Sequence, residues 1–359
     1  MDNLRDERVE RILRGHVVEY GLDLGGLTVM TEAATGHYLH TPLLAALAGA
    51  RKVYAVTADS RYGTREEVGG LTAEAARRLG VAGRVEVLFG KSREAVGESD
   101  VITNSGFVRP ITREVVSWMK PTAVVPLMWE TWEFRDADLD LRACRERGVL
   151  VLGTDESRPP LSMYPYSGFA AMKLLFELGL EGYRTKTILL GGGTGLGRSI
   201  RDHFGRLGME VAWFADSEEG AAPYSELGAF FSARGADYDA LVVAEHGDDT
   251  RLLGSGGALT YEQIVRSNPG LRVGVMSGNV DIEGLRASGL RHFPAALRPF
   301  RYMSYHPGDL GPLPVLDLYA AGLKVGEAMA RARLGGMGLE EAKRYALANS
   351  PAMDFPGEA

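Results

Sequence analysis

The stretch LLGGGTGLGRSI, residues 189–200, decides how this chain is read. An apolar run, KTILL, leads into it, and a helix-like run, GRSIRDHFGRLG, leads out. Glycines at such a turn permit tight backbone angles and let the main chain approach a pyrophosphate, which then rests on the helix N-terminus. The spacing departs from G-x-G-x-x-G. With Gly197 as the third glycine, Thr194 stands where the second is expected, and Gly192–Gly197 reads G-x-x-G-x-G. Context supplies what spacing lacks. The next apolar stretch, MEVAWFAD, ends in Asp216, about 20 residues on, where an acid binds the adenosine ribose hydroxyls. An acid there also repels a 2′-phosphate, which favours NAD over NADP. Gly192, Gly193, Thr194, Gly195, Leu196, Gly197 and Asp216 are therefore expected to bind NAD; the other reading of the same residues is a tight strand–helix turn with a surface aspartate.

Working outward, the same alternation fills the chain. Before the turn, LTVMTEA, KVYAVTAD, RVEVLFG, DVITNSG, TAVVPLMW and VLVLGTD are short apolar runs separated by helix-like stretches such as TAEAARRLGV and DLDLRACRERG. Strand–helix alternation with near-continuous apolar strands predicts a parallel sheet covered on both faces. YPYSGFAAMKLLFELGLEGY, residues 164–183, reads as one long helix leaving that domain. After the glycine turn, DALVVAEHG and LRVGVMSGN continue a second alternation, and the chain ends in two helical stretches, 309–334 and 338–349. The expected fold class is α/β, with two doubly wound parallel-sheet domains of Rossmann type and a cleft between them.

Composition bounds the function. The chain of 359 residues is 45% apolar, with a formal net charge of −7. Nucleic acids and anionic membranes select basic surfaces, so neither is an expected partner. One cysteine, Cys144, excludes an intrachain disulfide and a cysteine-rich metal site. The charged, helical N-terminus has no signal-peptide pattern, and no apolar run approaches the ~18 residues of a bilayer span. A cytoplasmic protein is expected. The histidines and acids show no tight metal-ligand spacing beyond HYLH, which falls on a strand-to-helix turn, so no metal is expected.

In the order of its parts the chain resembles the D-2-hydroxyacid dehydrogenase (formate/glycerate dehydrogenase-like) superfamily, with features also similar to adenosylhomocysteinase. DVITNSGFVRPITREVVSWMKP looks like the family's substrate-binding strand–loop–helix. DADLDLRACRERGVLVLGT is similar to the helix and strand before the interdomain helix, and SYHPGDLGPLP to the segment with the catalytic histidine. The resemblance implies a substrate domain over 1–160, completed by C-terminal helices 308–359, and an NAD domain over 161–307. It also implies a homodimer, for which the apolar stretch PVLDLYAAGLKVGEAMARA is a candidate element.

The departures are equally specific. In VMSGNVD, Ser277 stands in the place of the family's arginine, before Gly278 and Asn279, and the family's glutamate partner for histidine has no counterpart in 282–300 beyond Glu283. Ordinary 2-hydroxy acids are therefore expected to be poor substrates, unless Arg109 or Arg301 substitutes. His306 is the expected acid/base, since a histidine titrates near neutrality and exchanges a proton as hydride moves. Glu130 and Glu133 end an apolar strand, where clefts of α/β sheets form; they face substrate or are helix N-terminal acids. Asn104, Ser105, His37 and His40 end other strands and are candidate substrate contacts. Glu245 and His246, after LVVA, are expected beside the cofactor with Ser277, Gly278 and Asn279. The expected activity is hydride transfer between nicotinamide and a small polar metabolite. An adenosylhomocysteinase-like transient oxidation and a non-catalytic NAD-binding protein remain as alternatives.

Overall fold

The computed structural model describes residues 2–192 and 195–356. Gly193 and Thr194 of the glycine turn lie outside the described residues. The chain forms two compact units, one running to Ser162 and resuming at Gly311, the other spanning Met163–Leu310.

The first unit begins with α1 (Asp2–Glu19), β1 (Thr28–Glu32), α2 (Thr41–Leu47), β2 (Lys52–Val56), α3 (Arg65–Arg78) and β3 (Val85–Leu88). It continues with α4 (Arg93–Glu98), β4 (Val101–Ile102), α5 (Arg113–Trp118), β5 (Val124–Pro126), α6 (Leu141–Arg147) and β6 (Leu150–Thr154). Side-chain caps start the helices where the sequence changes period. Thr64 and Glu67 form a capping box at α3, while Ser92, Thr112 and Asp140 each accept a backbone N–H in the first turn of α4, α5 and α6.

The second unit comprises α7 (Tyr164–Glu177), β7 (Thr187–Leu190), α8 (Leu196–Arg206), β8 (Val211–Phe214), α9 (Leu227–Arg234) and β9 (Ala240–Ala244). Next come β10 (Arg251–Leu253), α10 (Tyr261–Ser267), β11 (Arg272–Ser277), β12 (Asn279–Val280), α11 (Ile282–Ala287) and β13 (His292–Phe293). The helix predicted over 164–183 is shorter than its pattern. Gly179 takes φ +78, and the Leu180 N–H turns back to the Leu175 carbonyl at 2.9 Å, a glycine-based helix stop. Five parallel strands form the sheet in the order β13-β11-β9-β7-β8. Both faces are buried. Ile188, Leu190, Leu241, Val243 and Val275 meet Phe214 and Phe231 on one side, while Leu189, Val242 and Met276 meet Leu174, Ile200 and Phe204 on the other. That is why these strands read as continuous apolar runs.

The chain then returns to the first unit with α12 (Pro312–Leu334), α13 (Leu339–Asn349) and β14 (Ala352–Met353). The sheet there runs β14-β6-β5-β4-β1-β2-β3, parallel except for β14 against β6. Helix α12 lies on β5 and β6 beside α1 and α13, and His16 Nε2 of α1 sits 2.8 Å from Asp317 Oδ1 of α12. The apolarity of PVLDLYAAGLKVGEAMARA is thus used inside this unit: Val315, Leu316, Ala320, Ala321, Leu323 and Met329 are all buried. Among the described residues no helix is long and apolar enough to cross a membrane.

Two glycines on α12 test this packing. A methyl at Gly326 would lie 2.7 Å from Val101 Cγ1 and 3.0 Å from Pro126 Cγ, both stiff side chains of the sheet. A methyl at Gly322 would crowd the flexible thioether end of Met128, Cε at 2.4 Å, and make an ordinary contact with Thr154 Oγ1 at 3.5 Å. Overpacking costs about 1–3 kcal/mol, and Gly→Ala in a helix returns about 1 kcal/mol. Gly326→Ala is expected to destabilise by up to about 2 kcal/mol and Gly322→Ala to be near neutral, as measured by urea denaturation.

Candidate functional site

In the second unit the chain leaves β7 toward β8 and leaves β9 toward β11, so strand order reverses between β7 and β9. Connections departing in opposite directions open a crevice beyond the carboxyl ends of these strands. The glycine turn stands there. A Cβ on Gly197 would lie 2.1 Å from the Gly191 carbonyl oxygen, so α8 starts against the end of β7 at a separation only glycine allows. Gly195 caps α8 at φ +79, and Leu196, its first residue, is buried.

Two acids shape the crevice. Asp216, exposed just beyond β8, accepts the Tyr224 N–H on Oδ1 at 2.8 Å. Glu245, only 1% exposed, sits at the end of β9. Its Oε2 accepts from the Gly192 N–H at 3.0 Å and the Tyr224 hydroxyl at 2.7 Å, and its Oε1 from the N–H groups of Gly247 and Asp248 at 3.0 and 3.1 Å. Glu245 therefore ties the glycine turn to the loop after β9. The neighbouring strand ends bring two other expected residues together: His246 Nδ1 lies 2.6 Å from Ser277 Oγ. Beside them a methyl on Gly278 would fall 2.6 Å from Val243 Cγ1, and Asn279 donates to the Asp249 carbonyl at 2.7 Å.

The residues present fit a dinucleotide. The first turn of α8 offers N–H groups without partners inside the helix, the close approach at Gly197 brings that turn to the sheet edge, and Asp216 stands exposed at the β8 tip. The Gly192 N–H is committed to Glu245. Arg198 in that turn is paired with Glu218 at 2.6 Å.

His306, 42% exposed in its side chain, lies in the loop before the end of this unit. Its Nδ1 accepts the Gly308 N–H at 3.1 Å, which places the proton of the neutral ring on Nε2. The Asp309 carboxylate accepts the His306 N–H at 2.8 Å and lies 3.7 Å from Nε2. Lys173 of α7 donates to the Asp309 carbonyl at 2.6 Å.

The first unit has its own reversal, between β1 and β4. Asn104 and Ser105, just past β4, are buried, and Asn104 Oδ1 accepts the Met128 N–H at 2.8 Å. His37 and His40 lie on the 3-10 turn Gly36–His40 after β1, half-buried, with His40 the residue before α2. Glu130, past β5, is 5% exposed; its Oε2 accepts from Trp132 Nε1 at 2.6 Å and its Oε1 from the Glu156 N–H at 3.1 Å. It makes no helix-capping bond. Burial raises the Glu130 carboxyl above the usual range, and burial together with Glu133, Glu130 and Asp155 raises Glu156 well above it.

Sequence reading missed Glu32 and Tyr319. Glu32 is the last residue of β1 and only 4% exposed. Tyr319 of α12 donates to Glu32 Oε1, and the Glu32 backbone N–H reaches Ser105 Oγ at 3.3 Å. Ser105, Thr103 and Thr31 link their hydroxyls, Thr103 to Ser105 at 2.7 Å and to Thr31 at 3.0 Å. Burial pushes the Glu32 carboxyl up to about 7, against the lowering effects of the Tyr319 hydrogen bond and the Arg109 charge. The available signal was the charge ending the apolar run LTVMTEA.

No family model matches the chain, and no curated protein sequence matches it. Solved structures do. A dipicolinate synthase chain from Bacillus halodurans is similar with a TM-score of 0.53 at 13% identity, over 83% of this chain and 96% of that one. A 2-hydroxyacid dehydrogenase from Ketogulonicigenium vulgare gives 0.45 at 13% identity, over 80% and 96% of the two chains. An NAD-dependent formate dehydrogenase from Staphylococcus aureus, solved with NAD, gives 0.38 at 14% identity, over 78% and 95%. The likeness to the dipicolinate synthase chain is one of fold, and the α/β class with parallel sheets is the one expected.

The raised Glu32 carboxyl has a direct consequence for stability. Between the unfolded value near 4.5 and the folded value of about 7, the unfolded chain loses this proton while the folded chain keeps it. Stability from this group is therefore full below pH 4.5 and is lost as pH rises through 7. Glu32→Gln removes the effect, so the variant gains on the native protein between pH 5 and 8 by up to about 3 kcal/mol. Urea denaturation at both pH values measures this; a difference independent of pH would show that Glu32 titrates alike in both states.

Proposed function

We propose that this chain is an NAD-dependent oxidoreductase acting on a small polar metabolite. One observation carries the reading: the glycine turn stands at the β7/β9 reversal, with α8 starting against the sheet edge at Gly197 and Asp216 exposed at the tip of β8. When bound, NAD supplies a hydride acceptor or donor. The first turn of α8 holds the pyrophosphate, Asp216 the adenosine ribose, and Glu245 keeps the turn in shape, while the His246–Ser277 pair and Gly278 and Asn279 line the loops after β9 and β11. His306, with its ring proton on Nε2, moves the substrate proton. Asn104, Ser105, His37 and His40 belong to the substrate-holding face of the first unit, with Glu130 and Glu133 as further proton-bearing groups. The protein is proposed to act in the cytoplasm as a homodimer.

Titration calorimetry with NAD and NADP tests the reading. Micromolar NAD affinity is expected with a clear preference over NADP, because the Asp216 carboxylate repels a 2′-phosphate. Asp216→Ala combined with a nearby arginine is expected to relax the preference, and equal or tighter NADP binding by the native protein would overturn it.

His306→Ala is expected to keep NAD affinity and lose turnover by roughly 10²–10⁴-fold. With Ser277 in place of an arginine, D-lactate and D-glycerate are expected to turn over weakly or not at all, since a bound carboxylate favours a bidentate donor. Full activity in His306→Ala, followed by NADH absorbance, would move the proton-transfer role to Glu130, Glu133 or His40.

A further inference from the structure

The β1/β4 reversal of the first unit gathers charges of both signs. Strands β1 and β4 are neighbours, yet β1 leads on to β2 on one side and β4 to β5 on the other. At their carboxyl ends stand Glu32, Thr103 and Ser105. Glu32 is pressed against the main chain: a methyl on Gly106 would lie 1.7 Å from its Oε2. Glycine at 106 is thus what admits the carboxyl group. From α12, Tyr319 bonds Glu32, and Tyr38 of the 3-10 turn packs edge-on against Tyr319 with ring centroids 6.3 Å apart. Three residues beyond Gly106 comes Arg109, close enough for its charge to act on Glu32. Its guanidinium lies over the Trp129 ring at 4.9 Å and bonds Asp138 through Nη1 at 3.1 Å, with the side chain still 28% exposed.

A packed apolar group would serve the core better than a carboxyl in this position, because burying an ionisable group costs more than an apolar isostere. The cost is explained if the group meets a ligand. Sites of this kind occur where strand order reverses in an open α/β sheet, and perturbed carboxyls concentrate in them. The pairing of an acid and a guanidinium in one crevice is complementary to a molecule carrying an ammonium and a carboxylate on adjacent atoms.

We propose that the β1/β4 crevice of the first unit is a binding site for a small zwitterion, an α-amino acid, with Glu32 facing the ammonium and the guanidinium of Arg109 facing the carboxylate. Tyr319 holds the Glu32 carboxyl in place, and Ser105 holds the main chain of the same residue by accepting its N–H. Among the described residues, the titratable and charged groups acting on Glu32 are Tyr319 from α12, with Tyr38 behind it, and Arg109 from the segment after β4. Glu32 is proton-bearing near neutrality, and an ammonium beside it favours the ionised form. Binding therefore releases a proton at low pH and none at high pH, and affinity rises as pH passes through 7. This deepens the substrate half of the proposed function and rests on it in that respect, but the site lies wholly in the first unit and is tested without dinucleotide.

The test is titration calorimetry of the full chain with the twenty common L-amino acids and D-alanine, each at up to about 10 mM. For alanine, propanoate and ethylamine serve as singly charged comparisons. At least one amino acid is expected to bind, with its deaminated and decarboxylated analogues at least about tenfold weaker. Repeating the titration in buffers of different ionisation enthalpy is expected to show release approaching one proton near pH 6 and almost none near pH 8.5. Glu32→Gln and Arg109→Gln should each lose about tenfold or more in affinity, and Glu32→Gln should also abolish proton release. Tyr319→Phe keeps the ring in the core and is expected to weaken binding several-fold, which separates ligand recognition from folding. Thermal melts and NAD titrations of all variants show whether each is folded and whether the second unit still binds its own ligand. Absence of binding by every amino acid would overturn the proposal, as would a propanoate affinity equal to that of alanine or unchanged binding by folded Glu32→Gln. Failure of NAD binding alone would overturn the dinucleotide reading and leave this one standing.

Discussion

Parallel strands buried on both faces impose the constraint on which everything else here depends. A parallel pair cannot be closed by a hairpin; each strand must be followed by a crossover, and the crossover helix covers a face. A sheet built outward from its centre in both directions has one place where successive connections part. In the first unit that place is between β1 and β4, in the second between β7 and β9. Diverging connections leave the carboxyl ends of the strands open there. The glycine turn and the Glu32 cluster are both products of this one rule, in two sheets of different size.

Each crevice holds a buried glutamate, and the two are accommodated in opposite ways. Glu245 receives the N–H groups of Gly192, Gly247 and Asp248 and the Tyr224 hydroxyl. Those donors replace the water it gave up, and the carboxylate becomes a fastener between two loops. Glu32 has the Tyr319 hydroxyl and the charge of Arg109, and burial outweighs them, so its proton stays on near neutrality. One acid serves shape. The other keeps a proton to exchange, which is the property a binding or reacting group needs.

The first unit is completed by the end of the chain. Helix α12 lies on β5 and β6, places Asp317 against His16 and carries Tyr319 to Glu32. Its small residues have a role in this: Gly326 lets the helix backbone approach Val101 and Pro126 more closely than a side chain permits, while Gly322 lies against the movable end of Met128. The hydroxyl that supports the Glu32 carboxyl is therefore positioned by the same close packing that closes the unit.

Much of this protein is local and was legible as such. Apolar runs of strand length, capping residues such as Thr64 and Asp140, and glycines at the end of a strand act over a few residues, so the alternation of strands and helices, the α/β class and the glycine turn could be read from the order of residues. The end of α7 was misread because an apolar pattern continued past Gly179, and a left-handed glycine stopped the helix where the pattern did not. What residue order could not supply was partnership. Glu32 and Tyr319 are 287 positions apart, Glu245 and Gly192 are 53 apart, and His246 meets Ser277 across 31. No periodicity links such pairs; strand order and helix packing do. The chemistry of a carboxyl group depends on the donors, charges and solvent around it, so the residue types were determined by the sequence, while which glutamate became a fastener and which a proton holder was decided only by the tertiary structure.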